Sequence, residues 1–391
     1  MVISGSLLTN AQDITNNKFG KGLYNVVAKD SSYSMNFAAR FQNLFIGEFD
    51  LNDSLGVNNA TSNFLVRRAR LKFGGFVYTT KLNYKVELGL TNGDISNIGP
   101  ETKNAPGIVF DAVIKWNFYK NLTLWVGQTK LPGNRERVVS SGNLQFVDRS
   151  LVNSNFNIDR DMGAQLRHHF KLGEKFTVRE IISVSQGEGR NITVGNLGGY
   201  DWTGRIEILP FGTFKSKGDY SESDLKREET PKLMLGATYD YHDRAVREHG
   251  NTKSFMYNDA GYFETNIYTL FADMIFKYKG LSVMGEYANK TADQVLATNT
   301  DGTLTGDAVN AGQGFNAQAG YLFKKNFEFA GRYTLIMYDK QLGKNDITMY
   351  TLGFSRYIVG HKLKVQSDVS LTQQKGKDDN IMYRLQLDVH F

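Results

Sequence analysis

The sequence predicts an all-β chain that closes into one transmembrane antiparallel β-barrel, and two observations lead to this fold class. Apolar and polar residues alternate strictly at the end of the chain, where the apolar positions are Tyr383, Leu385, Leu387, Val389 and Phe391. A strand with this period of two has one apolar and one polar face, which here suit lipid and water. The same alternation recurs along most of the chain after Ser32.

Composition favours the same fold. The 391 residues include 26 Phe, 20 Tyr and 39 Gly but only 5 Pro, as expected for many strands with few ladder-breaking prolines. No apolar run approaches the roughly 18 residues of a membrane helix. The mean hydropathy of −0.38 still fits a membrane protein, because half of each spanning strand faces an aqueous lumen. The absence of cysteine excludes disulfides, thiolate metal sites and cysteine nucleophiles.

We predict sixteen strands with lengths near those of tilted spanning strands. Their approximate bounds are 33–49, 63–78, 82–91, 108–118, 122–129, 160–170, 175–185, 199–209, 233–242, 264–278, 281–290, 313–323, 327–338, 346–357, 362–374 and 380–391. Short turns alternate with long links, as in outer-membrane barrels. The long links are 50–62, 92–107, 130–159, 186–198, 243–263 and 291–312. Residues 210–232 break this rule, so they form either an elaborated periplasmic connector or a sign of a misplaced strand.

The alternation within single strands predicts which side chains face lipid. In the fourth strand the expected outward residues are Phe110, Ala112, Ile114, Trp116 and Phe118. A β-sandwich would alternate in the same way. Aromatic residues recur at the apolar strand ends, for example Tyr78 and Tyr278, and such girdles at the membrane interfaces favour the barrel.

Sixteen strands enclose a lumen that side chains cannot fill, so we expect an aqueous channel. The long link after the fifth strand is too long for a hairpin and is the candidate constriction loop. Its expected solute-contacting residues are Lys130, Arg135, Arg137 and Arg149. Arginine suits oxyanions because its planar donors bind phosphate or carboxylate in a bidentate way. For Arg149 the alternative is a structural ion pair with Asp148 or Asp159.

A second basic cluster places Arg68, Arg70 and Lys72 on one strand face, which should line the lumen. The expected pore-lining residues are Arg40, Arg68, Arg70, Lys72, Lys85 and Lys115. The other cations assigned inward are Arg167, Arg179, Arg205, Arg332, Lys364 and Arg384. The acids assigned inward are Glu87, Asp111, Asp201, Glu207, Asp240, Asp273, Glu286, Glu328, Asp368 and Asp388. The basic excess is slight, which predicts a mild anion preference unless positive charge is concentrated at the constriction.

The sequence offers little support for other chemistry. The six histidines lack zinc-site spacing, and there is no P-loop, nucleophile elbow or HExxH motif. We therefore expect no catalytic residue, metal or cofactor, and the net charge of +6 without a basic aromatic platform argues against nucleic-acid binding. Residues 1–11 resemble the end of a secretory signal peptide that lacks its charged start. Residues 12–32 then form an N-terminal segment and 33–391 the barrel.

Three blocks carry a resemblance to a known family: FLVRRARLKFGG at 64–75, GQTKLP to DRDMGAQL at 127–166, and TPKLMLGATYDY at 230–241. The chain resembles the phosphate- and polyphosphate-selective porins O and P. The resemblance implies a sixteen-stranded homotrimer in the Gram-negative outer membrane, in contact with lipid and lipopolysaccharide, with both termini periplasmic. It also implies flux of small anionic solutes past a constriction loop that contains Lys130, Arg135, Arg137 and Arg149. Acids interspersed in the lumen depart from the arginine ladder of the phosphate-specific members.

These observations predict a porin that conducts small hydrophilic solutes passively with a mild anion preference. Two alternatives stay open. One is a dedicated phosphate or polyphosphate channel. The other is a barrel that acts as a scaffold in a larger outer-membrane assembly and uses residues 210–232 as its docking surface.

Overall fold

The computed structural model describes residues 13–14, 19–52, 56–95 and 99–391. The predicted signal-peptide remnant at 1–11 lies outside the described residues. Sixteen long strands form the wall: β1 Ser34–Leu51, β2 Val57–Val77, β3 Thr79–Gly89, β4 Val109–Tyr119, β5 Leu122–Lys130, β6 Arg160–Leu172, β7 Phe176–Ser185, β8 Asp201–Leu209, β9 Lys232–Ala245, β10 Thr265–Tyr278, β11 Leu281–Ala292, β12 Gly312–Leu322, β13 Phe327–Tyr338, β14 Ile347–Tyr357, β15 Leu363–Gln374 and β16 Asp379–His390.

The sheet closes on itself. Each wall strand pairs antiparallel with its neighbours in the chain, and β16 pairs with β1 from Asp379 opposite Leu51 to His390 opposite Arg40. A short strand, Tyr24–Val27, adds to the start of β1. The predicted closed antiparallel barrel of sixteen strands is therefore confirmed. In the described part of the chain, no helix has the length and apolar character needed to cross a membrane.

The last strand shows why the sequence folds this way. Tyr383, Leu385 and Leu387 are each about 40% exposed on the outside, whereas Arg384 and Asp388 are buried inside. This matches the predicted alternation, and it follows from the pleat, which sends successive side chains to opposite faces.

The predicted link at 50–62 is shorter in the structure. Strands β1 and β2 continue to Leu51 and from Val57, and only residues 52–56 lie between them. Residues 57–64 are exposed on both faces. A hairpin that projects beyond the lipid layer has water on both sides, so its sequence loses the alternation from which the bounds were predicted.

The predicted outward position of Phe110 is wrong. In the pairing of β3 with β4, Glu87 lies opposite Asp111 but Leu88 lies opposite Val109, which leaves Phe110 as an extra residue. Such a β-bulge breaks the period of two. Phe110 and Asp111 are consequently both buried inside the barrel, at 5% and 1% exposure.

Residues 131–159, which we name the inner segment, run inside the barrel between β5 and β6. The segment contains two short helices, α1 Arg135–Val138 and α2 Leu151–Phe156. Val152 and Phe156 of α2 are fully buried in one hydrophobic cluster with Phe271, Ala288 and Ile336 of the wall. Burial of these apolar side chains fastens the inner segment to β10, β11 and β13, on one side of the lumen.

Residues 210–231, which we name the connector, also fold into the lumen. Phe214 packs in a buried cluster with Leu209 and Met234 of the wall. The Lys277 ammonium donates hydrogen bonds to the carbonyl oxygens of Gly218, Ser221 and Ser223, at 2.8, 2.8 and 2.7 Å. The irregularity at 210–232 is thus a true connector, and no wall strand was misplaced there.

Candidate functional site

One continuous cavity of about 1470 Å³ runs between the strands β2 to β7 and the two elements inside the barrel. We name it the passage. Its lining contains eighteen lysines and arginines but four carboxylates, Glu87, Asp94, Asp111 and Asp159. Charges of one sign in a confined cleft raise the local concentration of counter-ions. The passage is therefore an anion-attracting surface.

Five of the six residues expected to line the pore lie on the passage: Arg68, Arg70, Lys72, Lys85 and Lys115. The sixth, Arg40, does not.

Arg40 is 1% exposed and is bound within the packed side of the lumen. It forms an ion pair with Asp388 at 3.1 Å and donates to the Ser141 hydroxyl at 2.7 Å. Its strand position points inward as expected, but the inner segment covers it. The pattern of a single strand does not show what lies over its inner face, and this explains the difference.

Three of the four cations expected at the constriction, Lys130, Arg137 and Arg149, also line the passage. Arg135 is fully buried and forms an ion pair with Glu207 of β8. Successive residues of a helical turn point about 100° apart, so Arg135 and Arg137 leave α1 on different sides. Arg135 is therefore corrected to a residue that anchors the inner segment.

The cations of the inner segment are held by two kinds of partner. Arg137 pairs with Asp159, and burial of the Asp159 carboxyl is outweighed by Arg137 and Arg160, which hold its pKa well below the ordinary value. Arg149 instead donates to the main-chain oxygens of Glu136 and Val139, at 2.8 and 2.7 Å. Burial, and then Arg137, lower the pKa of Arg149 to about 9, so it is charged at neutral pH.

The alternative ion pairs considered for Arg149 are absent from the described residues. Asp148 pairs with Arg67 and Arg68, at 3.1 and 3.0 Å, and Asp159 pairs with Arg137 and Arg160. Because carbonyl oxygens carry no net charge, they fix Arg149 without neutralising it.

The basic face of β2 is partly neutralised by acids of the loop after β3 and of the neighbouring strands. Arg70 contacts Asp94 at 2.7 Å and Glu87 at 3.2 Å, and Lys72 lies 3.7 Å from Glu87. Lys85 contacts Asp111 at 2.8 Å. These pairs account for three of the four carboxylates of the passage, which leaves most of its remaining cations uncompensated.

The other acids assigned inward lie outside the passage, in the half of the lumen that the inner segment and the connector fill. They are Asp201, Glu207, Asp240, Asp273, Glu286, Glu328, Asp368 and Asp388. Several form buried ion pairs, such as Asp273 with Arg205 and Asp368 with Arg384, both at 2.7 Å. The barrel interior is thus divided into a packed, acid-rich half and an open, basic half.

Sequence reasoning missed the cations that loops bring to the passage. Arg190, Arg247 and Lys253 come from external loops and Lys217 from the connector. Loops lack a period that would orient their side chains, so no sequence signal could have placed these residues. Among the described ranges, no group of three or more His, Asp or Glu side chains is arranged to hold a metal ion.

The fold is that of known outer-membrane porins. OmpT of Vibrio cholerae in its trimer form is similar with a TM-score of 0.54 and 12% identity, over 92% of this chain and 100% of that chain. An anion-selective porin from Comamonas acidovorans gives 0.54 and 9% over 92% and 100%. OmpF of Salmonella typhi, in complex with daunomycin, gives 0.56 and 11% over 93% and 99%.

Sequence comparison reaches further than these folds. An uncharacterized protein of Aquifex aeolicus (strain VF5) is 24% identical over 379 residues, which cover 88% of this chain and 84% of that protein. The sequence model of the phosphate-selective porins O and P matches residues 38–381, nearly the whole barrel. Together with the closed sixteen-stranded wall and its basic passage, this match shows that the chain belongs to the phosphate-selective porin O and P family and is an outer-membrane porin.

Proposed function

We propose that this porin is an anion-preferring diffusion channel whose selectivity arises along the passage. The observation that carries the proposal is the excess of eighteen cations over four carboxylates on the lining. The preference is stronger than the slight overall excess of inward charge predicts, because most of the inward acids lie behind the inner segment. Solutes are separated by size where the inner segment narrows the lumen, and by charge at Lys130, Arg137 and Arg149.

A matched pair of variants in α1 tests this. R137Q removes a charge from the passage, and R135Q removes one from the buried anchor. For an ion about 5 Å away in water-like surroundings, the loss of one charge changes the interaction energy by about 0.4 kcal/mol at physiological salt. This is about twofold in concentration, favouring cations and disfavouring anions, so the chloride-to-potassium permeability ratio should fall about fourfold in R137Q.

The measurement is the reversal potential of bilayer currents across a potassium chloride gradient. R135Q should keep the wild-type potential, because the Arg135 side chain does not line the passage. An unchanged potential in R137Q would remove the inner segment from the selectivity mechanism. A cation-selective wild-type channel would overturn the proposed function itself.

A dedicated phosphate or polyphosphate channel is the second candidate. Ten of the eighteen cations on the passage are arginines, whose planar donors suit tetrahedral oxyanions better than chloride. Block of the chloride current by millimolar phosphate supports this candidate, and an unaffected current at the same concentration removes it.

The proposal includes an assembly and an orientation. The chain forms a homotrimer in contact with outer-membrane lipid and lipopolysaccharide, with both termini in the periplasm. The short turns lie at the same end as His390, and the longer loops lie at the other end. This asymmetry suits a barrel with a periplasmic C-terminus. Cross-linking of the detergent-extracted protein should give a trimer, and protease added to intact cells should cleave only the long loops.

The scaffold alternative loses its docking surface. Polar groups of the connector are buried in the lumen: Asp219, Glu222, Ser223, Asp224 and Glu228 are each at most 3% exposed. A partner cannot reach these groups while the connector is folded, so the structure favours transport.

A further inference from the structure

Phe110 is the residue that the β-bulge in β4 turns into the barrel. A regular strand would direct its ring to lipid, because the neighbouring Asp111 points inward. Bulges often re-aim a side chain next to a functional site. Here the ring arrives on the lining of the passage, among the charged residues, where an aromatic residue needs a specific explanation.

Three guanidinium groups lie against this ring. The guanidinium carbons of Arg190, Arg70 and Arg160 are 3.9, 4.3 and 4.8 Å from the ring centroid. They come from three different elements: the external loop 186–200, β2 and β6. Arginine stacks well on aromatic rings because its planar group is weakly hydrated and the ring face is electronegative.

The three arginines differ in their other contacts. Arg70 is also held by Asp94 and Glu87, and Arg160 by Asp111. Arg190 is the nearest of the three to the ring, and it donates to the main-chain oxygen of Asp94 at 2.6 Å. The ring and this carbonyl both orient a guanidinium without contributing a formal negative charge.

We propose that Phe110 is a positioning residue that holds Arg190 over the passage, and that Arg190 is thereby a further determinant of anion selectivity. This inference rests on the proposed function. The ring replaces a carboxylate as the partner of a cation, so the position of Arg190 is fixed while its charge still acts on passing ions.

The loop that carries Arg190 has other anchors. The Asn191 amide donates to Gln128 Oε1 and the Gly187 amide donates to Asp161 Oδ2, both at 2.7 Å. Loss of the ring should therefore free the Arg190 side chain while the loop stays in place, so the role of Phe110 can be tested by substitution.

The test measures the chloride-to-potassium permeability ratio of wild type, R190Q, F110L, F110Y and the double variant F110L/R190Q. R190Q should lower the ratio about fourfold, as expected for one lost charge near the path. F110L should lower it by a smaller factor, and F110Y, which keeps the ring face, should retain the wild-type ratio. The double variant should match R190Q alone, because Phe110 acts through Arg190.

R190K provides a test that leaves Phe110 in place, in case F110L fails to insert into the membrane. Lysine keeps the charge but lacks the planar face, so R190K should lose part of the selectivity. A wild-type ratio in R190K would refute positioning by the ring.

The remaining outcomes separate the two proposals. If F110L and R190Q have additive effects, or if R190Q keeps the wild-type ratio in an anion-selective channel, the inference on Phe110 fails alone. If the wild-type channel prefers potassium, the proposed function fails.

Discussion

Trp125 offers an optical test of anion accumulation in the passage. Of the chain's three tryptophans, Trp125 lines the passage, whereas Trp116 and Trp202 lie half-exposed on the outer face of the barrel. The Lys115 ammonium lies 3.7 Å and the Arg167 guanidinium 3.9 Å from the Trp125 ring. We predict that iodide quenches Trp125 fluorescence far more strongly than caesium does.

The size of the effect follows from these two cations. An ion about 5 Å from a unit charge in water interacts with it by about 0.8 kcal/mol. Screening over a Debye length of about 8 Å, at 0.15 M salt, roughly halves this energy. Two cations then contribute about 0.9 kcal/mol, which enriches iodide about fourfold and depletes caesium by a similar factor. The ratio of the two quenching constants should be about sixteen.

Salt provides an internal check on this mechanism. At 1 M salt the Debye length is about 3 Å, so the two cations contribute about 0.3 kcal/mol. The ratio of quenching constants should then fall to about three. A steric preference for one quencher would not change with ionic strength in this way.

The assay uses the purified barrel in detergent, with each constant divided by that of free N-acetyltryptophanamide. Subtracting the signal of W125F removes the contribution of Trp116 and Trp202. The variant K115Q/R167Q should reduce the ratio several-fold. Equal quenching of Trp125 by the two ions at 0.15 M salt would refute the view that the passage concentrates anions.

Two further predictions concern the connector. K277M removes the donor to three connector carbonyls, which should destabilise the docked connector by about 2 kcal/mol and speed tryptic cleavage at Lys217. The second concerns Glu222. Burial, and then Glu136, raise its pKa to about 7, so docking is strongest below about pH 4.5 and weakens as the pH rises to about 7. Hydrogen exchange of the connector should therefore be faster at pH 8 than at pH 5, and E222Q should remove this difference; the same pH dependence in E222Q would exclude Glu222 as its source.

The wall of the barrel was predictable because one physical constraint acts on every spanning strand. Lipid on one side and water on the other impose a period of two, and this is legible in β16 as well as in β2. The prediction failed where that constraint ends. The β1–β2 hairpin projects beyond the lipid, and the bulge at Phe110 inserts a residue that the pattern does not reveal.

The interior was less predictable. Arg40 and Lys115 follow the same inward pattern, yet one is sealed against Asp388 and the other lines the passage. The difference depends on where the inner segment docks. Its docking is set by contacts of α2 with Phe271 and Ile336, which lie more than a hundred residues away in the sequence. Periodicity within a strand carries no information on such contacts.

The position of the acids explains how a nearly balanced interior can yield a basic channel. Removing carboxylates from water is costly, so buried acids need partners, and the packed half supplies them in Arg205, Arg384 and Arg40. These pairs fix the inner segment and the connector against one side of the wall. Ions in the passage are then nearest to the cations of β2 to β7, and the acids act on them only from behind a layer of protein. The selectivity of the channel therefore depends on where the inner segment docks as much as on the number of charges in the lumen.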